Sequence, residues 1–199
     1  MDTIFEELIS MARNGNGLIT TKQAEAAGIS RVTLKKYVDS GKITYIRKGL
    51  YILQNDLVDE YALIQARSSK VIFSYGTALY LWGMTDRTPH IIDITAPHGH
   101  NLTRIFKEPS NLRFHYVVKS YYEIGITETR SPQGSNVKLY DKERCICDLI
   151  RRKNFQDMQL YSQAIQLYFQ NRPNLRKLLK YGKLFGIEEQ IRTYMEVLT

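Results

Sequence analysis

Cysteine is scarce in this chain of 199 residues, which has two, Cys145 and Cys147. A single intervening residue suits neither a mutual disulfide nor, by itself, a zinc cage. Because so few thiols rule out a disulfide framework, the reducing cytoplasm is the expected compartment. We expect both cysteines to be buried or half-buried on one helix rather than to act as ligands or nucleophiles.

Long apolar runs are lacking as well. No stretch approaches the roughly 18 consecutive apolar residues of a membrane span. The N-terminus reads as an amphipathic helix with acidic residues, whereas a signal peptide has a basic start before an apolar run. We therefore expect neither a secreted protein nor a membrane partner.

The patterns of common enzymes and metal sites are also missing. No Asp or Glu stands two residues before a lysine, as restriction-type nucleases require for their metal. The chain has no phosphate-binding GxxxxGK[S/T] loop, no GxSxG elbow, and no glycine-serine with paired aspartates as in nucleotidyltransferases. His98 and His100 flank a loop glycine without a third ligand nearby. We predict no enzyme activity, no metal and no cofactor.

Positive charge, by contrast, is abundant and unevenly placed. The chain has 28 Lys and Arg against 20 Asp and Glu, a net charge of +8, which favours an acidic partner. Residues 20–53 carry seven bases and two acids, residues 54–141 nine of each, and residues 142–183 ten bases and three acids. The chain thus has two basic regions. At the start of the second region and just before it, Asp141, Glu143 and Asp148 are interpreted as salt-bridging residues.

The N-terminal pattern predicts helices, a turn and a hairpin. Helical spacing predicts a first helix from the residues Ile4, Phe5, Leu8, Ile9 and Ala12. Thr20 is a predicted N-cap of a short second helix that Gly28 ends, and Ser30 a predicted N-cap of a third that runs to about Ser40. Two β-rich runs, KITYI and GLYIL, follow as a hairpin with Arg47-Lys48-Gly49 at its tip.

This order is typical of a winged helix-turn-helix. Ala24 allows the second and third helices to approach, and Gly28 tolerates the positive φ of the tight turn. Leu34 and Val38 are predicted to face inward. The residues left facing outward are Arg31, Val32, Lys35, Lys36 and Asp39. A single exposed lysine on a helix is more often merely solvated. The small residue, the turn glycine, the inward pair, the outward bases and the basic hairpin tip all occur at the spacing of a helix-turn-helix, and this coincidence favours DNA binding.

We therefore predict a DNA-binding surface on this unit. Arg31 lies near the N-terminal end of the third helix, where recognition helices meet base edges, and the lysines further along suit phosphates. The basic hairpin tip would act as the wing on the adjacent phosphate backbone. The predicted DNA-binding residues are Thr21, Lys22, Gln23, Ser30, Arg31, Thr33, Lys35, Lys36, Lys42, Tyr45, Arg47 and Lys48.

The remaining chain predicts a mixed domain. Helices are expected at residues 56–67 and 76–82, strands at 71–74, 90–96, 113–118 and 137–140, and helices almost throughout from residue 141. The predicted fold class is α+β: a winged helix-turn-helix over residues 1–55, followed over residues 56–199 by a mixed domain with a small β-sheet and a C-terminal run of helices.

Three segments carry a family resemblance. Residues 20–53, TTKQAEAAGISRVTLKKYVDSGKITYIRKGLYIL, resemble the N-terminal winged helix of AbiE-type bacterial antitoxins, the AbiEi family. The matching residues are Thr33-Leu34, Val38, Gly41-Lys42-Ile43 and Arg47-Lys48-Gly49-Leu50-Tyr51. FSYGTALYLWGMTDRTP, residues 73–89, and VKLYDKERCICDLIRR, residues 137–152, are similar to two later family segments, with Cys145 where threonine is common. The three segments in order are more specific than the winged helix alone.

The resemblance implies an antitoxin with two tasks in a type IV toxin–antitoxin system of abortive phage infection. The N-terminal domain would bind inverted repeats in double-stranded DNA upstream of its own operon and repress it. The C-terminal domain, here termed the antitoxin domain, would counteract a nucleotidyltransferase toxin encoded next door, and a direct stable complex with the toxin is left open. Since no heptad zipper is visible, we expect a monomer in solution and two copies on an inverted repeat.

The C-terminal bases allow two interpretations. They are either a solvated surface of amphipathic helices or a second basic face that meets bent DNA or an acidic partner such as the toxin or RNA. The residues assigned to this face are Arg144, Arg151, Arg152, Lys153, Arg176, Lys177 and Lys180. The alternative function for the chain is a one-component regulator whose C-terminal domain senses a small molecule; a nucleic-acid enzyme is the third hypothesis.

Overall fold

The computed structural model describes residues 2–106, 111–152 and 157–198, and these form an α+β fold. The chain divides into two compact units. The first consists of residues 1–66 with 130–137, and the second of residues 67–129 with 138–199. The predicted fold class is confirmed. Among the described residues, no helix is both long and apolar enough to cross a lipid bilayer.

The first unit contains the predicted helices and hairpin. Its elements are α1 (Thr3–Asn14), β1 (Leu18–Thr20), α2 (Thr21–Ala26), α3 (Arg31–Asp39), β2 (Ile43–Arg47), β3 (Leu50–Leu53) and α4 (Glu60–Gln65). The three strands form an antiparallel sheet in the order β1-β3-β2. The sequence did not predict β1, since a three-residue strand has no visible periodicity and is defined by its pairing with β3.

Side-chain caps begin the two short helices at the predicted residues. Thr20 and Gln23 form a capping box at α2, in which the Thr20 hydroxyl accepts from the Gln23 N–H and Gln23 Oε1 accepts from the Thr20 N–H. The Ser30 hydroxyl accepts from the Thr33 N–H at the start of α3. Between the helices Gly28 has φ 80°, a value that glycine adopts without the strain other residues incur.

The core of the first unit orients α3. A buried cluster consists of Leu8, Ala12, Ile19, Ala24, Ile29, Leu34 and Ile43. The predicted small residue and inward leucine, Ala24 and Leu34, are both fully buried in it, whereas Val38 and Tyr37 pack at its edge. Because one side of α3 is held in this core, the opposite side faces solvent.

Residues 130–137 belong to the first unit through a few polar contacts. The Asn16 side chain donates to the Asn136 carbonyl at 2.9 Å and accepts from its N–H at 3.0 Å. The Ser131 hydroxyl donates to Asp59, which also caps α4. The compact unit thus extends beyond residue 55. The limits of the DNA-binding domain itself, residues 1–55, remain a prediction.

The rest of the chain is a mixed sheet with helices. Its elements are β4 (Ile72–Phe73), α5 (Tyr75–Leu81), β5 (Ile92–Pro97), α6 (Leu102–Ile105), β6 (Leu112–Val117), α7 (Lys119–Tyr122), β7 (Ile126–Arg130), β8 (Asn136–Tyr140), α8 (Lys142–Arg151), α9 (Met158–Gln170), α10 (Leu175–Phe185) and α11 (Glu188–Leu198). The strand order is β6-β5-β4-β8-β7. Strand β4 runs antiparallel to β5 and parallel to β8, and β5 runs parallel to β6.

Sequence patterns located most of these elements but missed three. The predicted helix at 56–67 is the shorter α4, because Asp59 supplies its cap. Strand β7 was not predicted, since its polar sequence ITETR lies at the edge of the sheet and has no buried residue. The single-turn helices α6 and α7 were too short to show helical periodicity.

Helices α8 and α9 each bury an apolar stripe. In α8 the residues Cys145, Ile146, Leu149 and Ile150 are all buried, as are Tyr161, Ala164, Ile165 and Tyr168 in α9. Both cysteines are buried, and burial raises the pKa of each thiol well above its usual range. The predicted burial of both cysteines on one helix is confirmed.

Candidate nucleic-acid interface

The exposed side of α3 presents the basic residues that the sequence predicted. Arg31, Lys35 and Lys36 are exposed, and Val32 between them is 68% exposed. For Val32, Lys35 and Lys36 this follows from the helical period, since they lie one or two positions from the buried Leu34 and point away from it. Arg31, three positions before Leu34, is exposed as the first residue of the helix. The helix therefore offers three cations and one apolar side chain to a ligand.

Arg31 is held by a neighbouring helix. Its Nε lies 2.7 Å from Glu25 Oε1 in α2, and both side chains are largely exposed, at 73% and 46%. Sequence reasoning missed this ion pair because the two residues lie on different helices, joined by the turn at Gly28. The pair restricts the guanidinium of the first residue in α3.

Lys35 and Lys36 differ from Arg31 in this respect. Neither lysine side chain has an ion-pair or hydrogen-bond partner within the part of the chain that the structure describes. Flexible, unpaired ammonium groups suit phosphates, which need charge rather than fixed geometry. Their assignment as DNA contacts remains a prediction that this arrangement fits.

Three of the predicted contact residues have side-chain hydrogen bonds at the helix caps. Gln23 Oε1 accepts from both the N–H and the hydroxyl of Thr20. The Ser30 and Thr33 hydroxyls lie 2.9 Å apart, and Ser30 also caps α3. Contact with DNA through these side chains remains a prediction and would use the donors and acceptors that the caps leave available.

The wing is anchored to the start of α2. Arg47 pairs with Leu50, so the hairpin tip is the two-residue turn Lys48-Gly49, one residue shorter than predicted. The Gly49 carbonyl accepts from the Thr21 N–H at 3.0 Å. Lys48 is exposed and Arg47 half-buried. Because of this anchor, the wing tip and the first turn of α2 present their bases, including Lys22, on neighbouring surface.

Tyr45 lies on β2, the edge strand of the wing. Its side chain is 51% exposed, and its ring meets that of Tyr51 edge-on, with centroids 5.6 Å apart. Strand β2 has a bulge between Tyr45 and Arg47. An exposed tyrosine held by a second ring can donate a hydrogen bond to phosphate while its own packing is kept.

Lys42 is engaged inside the unit. Its Nζ lies 2.7 Å from Asp2 Oδ2 and within 5.3 Å of the ring centroids of Phe5 and Tyr37. The hydrogen bond from Lys42, with a second from the Tyr37 hydroxyl, lowers the pKa of Asp2 to about 2. Lys42 therefore links the start of β2 to the N-cap of α1, and contact with DNA would compete with these partners.

The second basic face requires a correction at Arg144. This side chain is 1% exposed, its Nε lies 2.9 Å from Asp148 Oδ2, and its Nη1 donates to the carbonyls of Tyr121 and Ile124. The prediction that Arg144 belongs to a basic surface is wrong. The sequence counted it among the bases of the C-terminal helices, but α7 and the loop after it cover its side chain.

Lys177 also forms ion pairs with acidic side chains. Its Nζ lies 2.9 Å from Asp141 and 3.2 Å from Glu143 at the start of α8. Together with the pair of Arg144 and Asp148, these contacts confirm that the three acids are salt-bridging residues. Lys177 is thus a weak candidate for a contact with another molecule.

The other described members of the second basic face are exposed. Arg151, Arg152, Arg176 and Lys180 are exposed, and Lys153 lies outside the described residues. A groove of about 840 Å³ is lined by Asn174, Arg176, Lys177, Leu179, Lys180, Lys183, Leu184 and Arg192. A role for this face in binding DNA, RNA or a toxin remains a prediction.

The two histidines of the loop have protein neighbours. The ring Nε2 of His100 lies 2.8 Å from the Ser68 hydroxyl, and His98 stacks on Tyr116 with centroids 6.5 Å apart. No group of three or more His, Cys, Asp or Glu residues is placed to hold a metal in the described parts of the chain.

In a comparison with known proteins, the N-terminal region matches a protein family. Residues 6–54 match the sequence model of a family described as transcriptional regulator, AbiEi antitoxin. The match extends from α1 to just past β3 and covers the helix-turn-helix and the wing. The resemblance of this region to AbiEi antitoxin regulators is confirmed.

One solved structure is similar along most of the chain. The crystal structure of the RV2827C protein from Mycobacterium tuberculosis matches over 92% of this chain and 72% of that chain, with a TM-score of 0.58 and 13% identity. At this identity the likeness bears on the fold alone. No protein with curated annotation matches the chain.

Proposed function

We propose that this chain, a regulator of the AbiEi antitoxin kind, represses its own operon by binding inverted repeats in the promoter and counteracts a nucleotidyltransferase toxin. The observation that carries the DNA-binding part is α3 itself. Its buried Leu34 orients Arg31, Lys35 and Lys36 outward, beside a wing with Lys48 at its tip.

The dimensions of α3 suit the major groove. An α-helix with its side chains is about 10–12 Å across, and the major groove of B-DNA is about 12 Å wide. Arg31, as the first residue of α3, would meet base edges, while Lys35 and Lys36 one turn later would meet phosphates. Lys48 would meet the phosphates beside the adjacent groove. Each chain would occupy one half-site, so two copies would fill an inverted repeat.

Salt dependence of binding tests this arrangement. Lys35→Ala and Lys36→Ala should each weaken binding to the DNA upstream of the gene and flatten the slope of log K against log salt by about 0.9. Fluorescence anisotropy titrations of the full chain at several salt concentrations measure both. Arg13→Ala, which removes the same charge from the exposed last turn of α1, is the matched control and should leave the slope unchanged.

The proposal for α3 fails if the Lys35→Ala/Lys36→Ala double variant binds upstream DNA with the affinity and slope of the unsubstituted chain. Equal losses in Arg13→Ala would show instead that binding depends on net charge rather than on this face. Footprinting of the upstream DNA would identify the repeats and show whether two copies occupy them.

The antitoxin part is proposed for residues 56–199. It rests on the family that residues 6–54 match and on the resemblance of residues 73–89 and 137–152 to later segments of that family. The test is co-expression with the nucleotidyltransferase encoded beside the gene, with both chains made from unrelated promoters. We expect this chain to restore growth, and the Lys35→Ala/Lys36→Ala variant to restore it equally, since its C-terminal region is intact. Failure of the unsubstituted chain to rescue growth would refute the antitoxin role and leave the DNA-binding role standing.

A further inference from the structure

Among the outward-facing bases of α3, Arg31 has a fixed partner. Its Nε–H is directed at Glu25 Oε1 at 2.7 Å, and no other contact of its side chain is made by the described residues. The guanidinium carries five N–H donors in a rigid fork. An ion pair through Nε therefore leaves the four N–H groups on Nη1 and Nη2 available to a second ligand.

We propose that Glu25 is a positioning residue, which orients Arg31 for two parallel hydrogen bonds to O6 and N7 of one guanine in the bound DNA. The inference rests on the proposed DNA-binding function. Arginine is the usual reader of guanine because its fork matches those two acceptors. A long side chain at a helix start has many rotamers, and the carboxylate of the preceding helix reduces them before DNA arrives.

The charge of Glu25 should have a second effect. The basic region of residues 20–53 has two acids, Glu25 and Asp39, which is the last residue of α3. A carboxylate at a DNA interface repels phosphates, so both acids should lower affinity for DNA of any sequence. Only Glu25 holds an arginine, because Asp39 has no ion pair among the described residues. Asp39 is therefore a matched control for loss of one negative charge.

Glu25→Gln keeps the length of the side chain and removes its charge. We expect it to raise affinity for duplexes of unrelated sequence, as Asp39→Asn should. Unlike Asp39→Asn, it should also lower the preference for guanine at one position by about two- to fivefold, the range expected of an exposed ion pair. Arg31→Ala should abolish preference at the same position, a loss of about five- to a hundredfold.

The experiment measures binding of the full chain to a set of duplexes that together contain every short base-pair sequence. The unsubstituted chain is compared with Glu25→Gln, Asp39→Asn, Arg31→Ala and the Glu25→Gln/Arg31→Ala double variant. The proposal predicts that Glu25→Gln and Arg31→Ala lose preference at one shared position, and that the double variant loses no more than Arg31→Ala. Circular dichroism checks that each variant is folded.

Other outcomes have different meanings. If Glu25→Gln changes preference no more than Asp39→Asn does, or changes it at a different position from Arg31→Ala, the positioning role of Glu25 is refuted while DNA binding stands. If the unsubstituted chain shows no sequence preference at all, the proposed function itself fails. A purely structural role for Glu25 would alter stability and all affinities together, without a change at one position.

Discussion

Arg144 allows a test of the buried ion pair in the second unit, because its burial contradicts the prediction that it belongs to a basic surface. Arg144→Met replaces a charged side chain with an apolar one of similar length. The substitution leaves Asp148, whose side chain is 4% exposed, without its 2.9 Å partner and leaves the Tyr121 and Ile124 carbonyls without their donor. Removal of one partner from a buried ion pair costs about 3–5 kcal/mol. We expect the free energy of unfolding to fall by that amount.

A paired variant separates the ion pair from the packing. Replacement of a whole buried pair by apolar residues is often neutral, whereas an orphaned charge is costly. Arg144→Met/Asp148→Leu should therefore recover most of the stability lost in Arg144→Met. Arg176→Met, an exposed arginine on α10, is the control and should change stability by no more than about 0.5 kcal/mol.

The single tryptophan makes the measurement specific. Trp82 lies in the second unit, and its indole N–H donates to the Tyr140 carbonyl at 2.8 Å. Its fluorescence during urea denaturation thus follows the unit that contains Arg144, even if the two units unfold separately. A change of less than about 1 kcal/mol in Arg144→Met would refute the reasoning, since Arg151 Nη1, which remains 3.9 Å from Asp148, is a much weaker partner for a buried carboxylate.

The pH dependence of Arg144→Met has a defined sign. Burial raises the pKa of Asp148 even with Arg144 beside it, and loss of Arg144 should raise this pKa further. The folded variant then binds a proton more tightly than the unfolded chain does, so its stability should rise as pH falls. The deficit should shrink between the raised pKa and the ordinary aspartate range near about 4, which urea curves at several pH values would show.

Two further predictions concern backbone strain and the N-terminal ion pair. Gly125 has φ 81°, and in Gly125→Ala the added Cβ lies 2.8 Å from the Cβ of Arg144. Gly99 has a similar φ of 86°, but no atom lies within 4 Å of a Cβ added there, so Gly125→Ala should lower Tm more than Gly99→Ala. Equal losses in Tm would contradict the clash. The Asp2 carboxyl should titrate by NMR at about 2, and its midpoint should rise in Lys42→Met. Its stabilising effect should be complete above about 4 and fall away toward 2, so that Asp2→Asn and the unsubstituted chain converge in acid.

Local chemistry was the most predictable part of the fold. Thr20 and Ser30 cap the helices that they were expected to cap, and Gly28 has the positive φ expected in the turn. These features depend on residues within a few positions of each other, so the sequence contains all the partners. Leu34 was assigned to the core by helical spacing, and the structure buries it completely. Strand β1, in contrast, is defined by pairing with residues 30 to 34 positions away along the chain.

The candidate interface was predicted in outline but not in its contacts. Spacing placed Arg31, Lys35 and Lys36 on the exposed side of α3, as the structure has them. Spacing could not show that Glu25 holds Arg31 or that Asp2 holds Lys42, since both partners come from other elements. A count of charges does not distinguish these bases. In the structure Arg31 and Lys42 are ion-paired, whereas Lys35 and Lys36 have no partner among the described residues.

The sequence by itself determined the caps, the turn, the amphipathic faces and the basic character of the N-terminal unit, because each depends on neighbours along the chain. Tertiary structure alone decided which charges are available to a ligand. Lys177 of α10 pairs with acids at the start of α8, and Arg144, whose partner Asp148 lies one turn along the same helix, is buried because α7 and the loop after it cover its side chain. Burial of an unpaired charge in a low-dielectric interior is costly, so the basic residues that the fold buries form internal ion pairs, whereas others stay exposed to solvent.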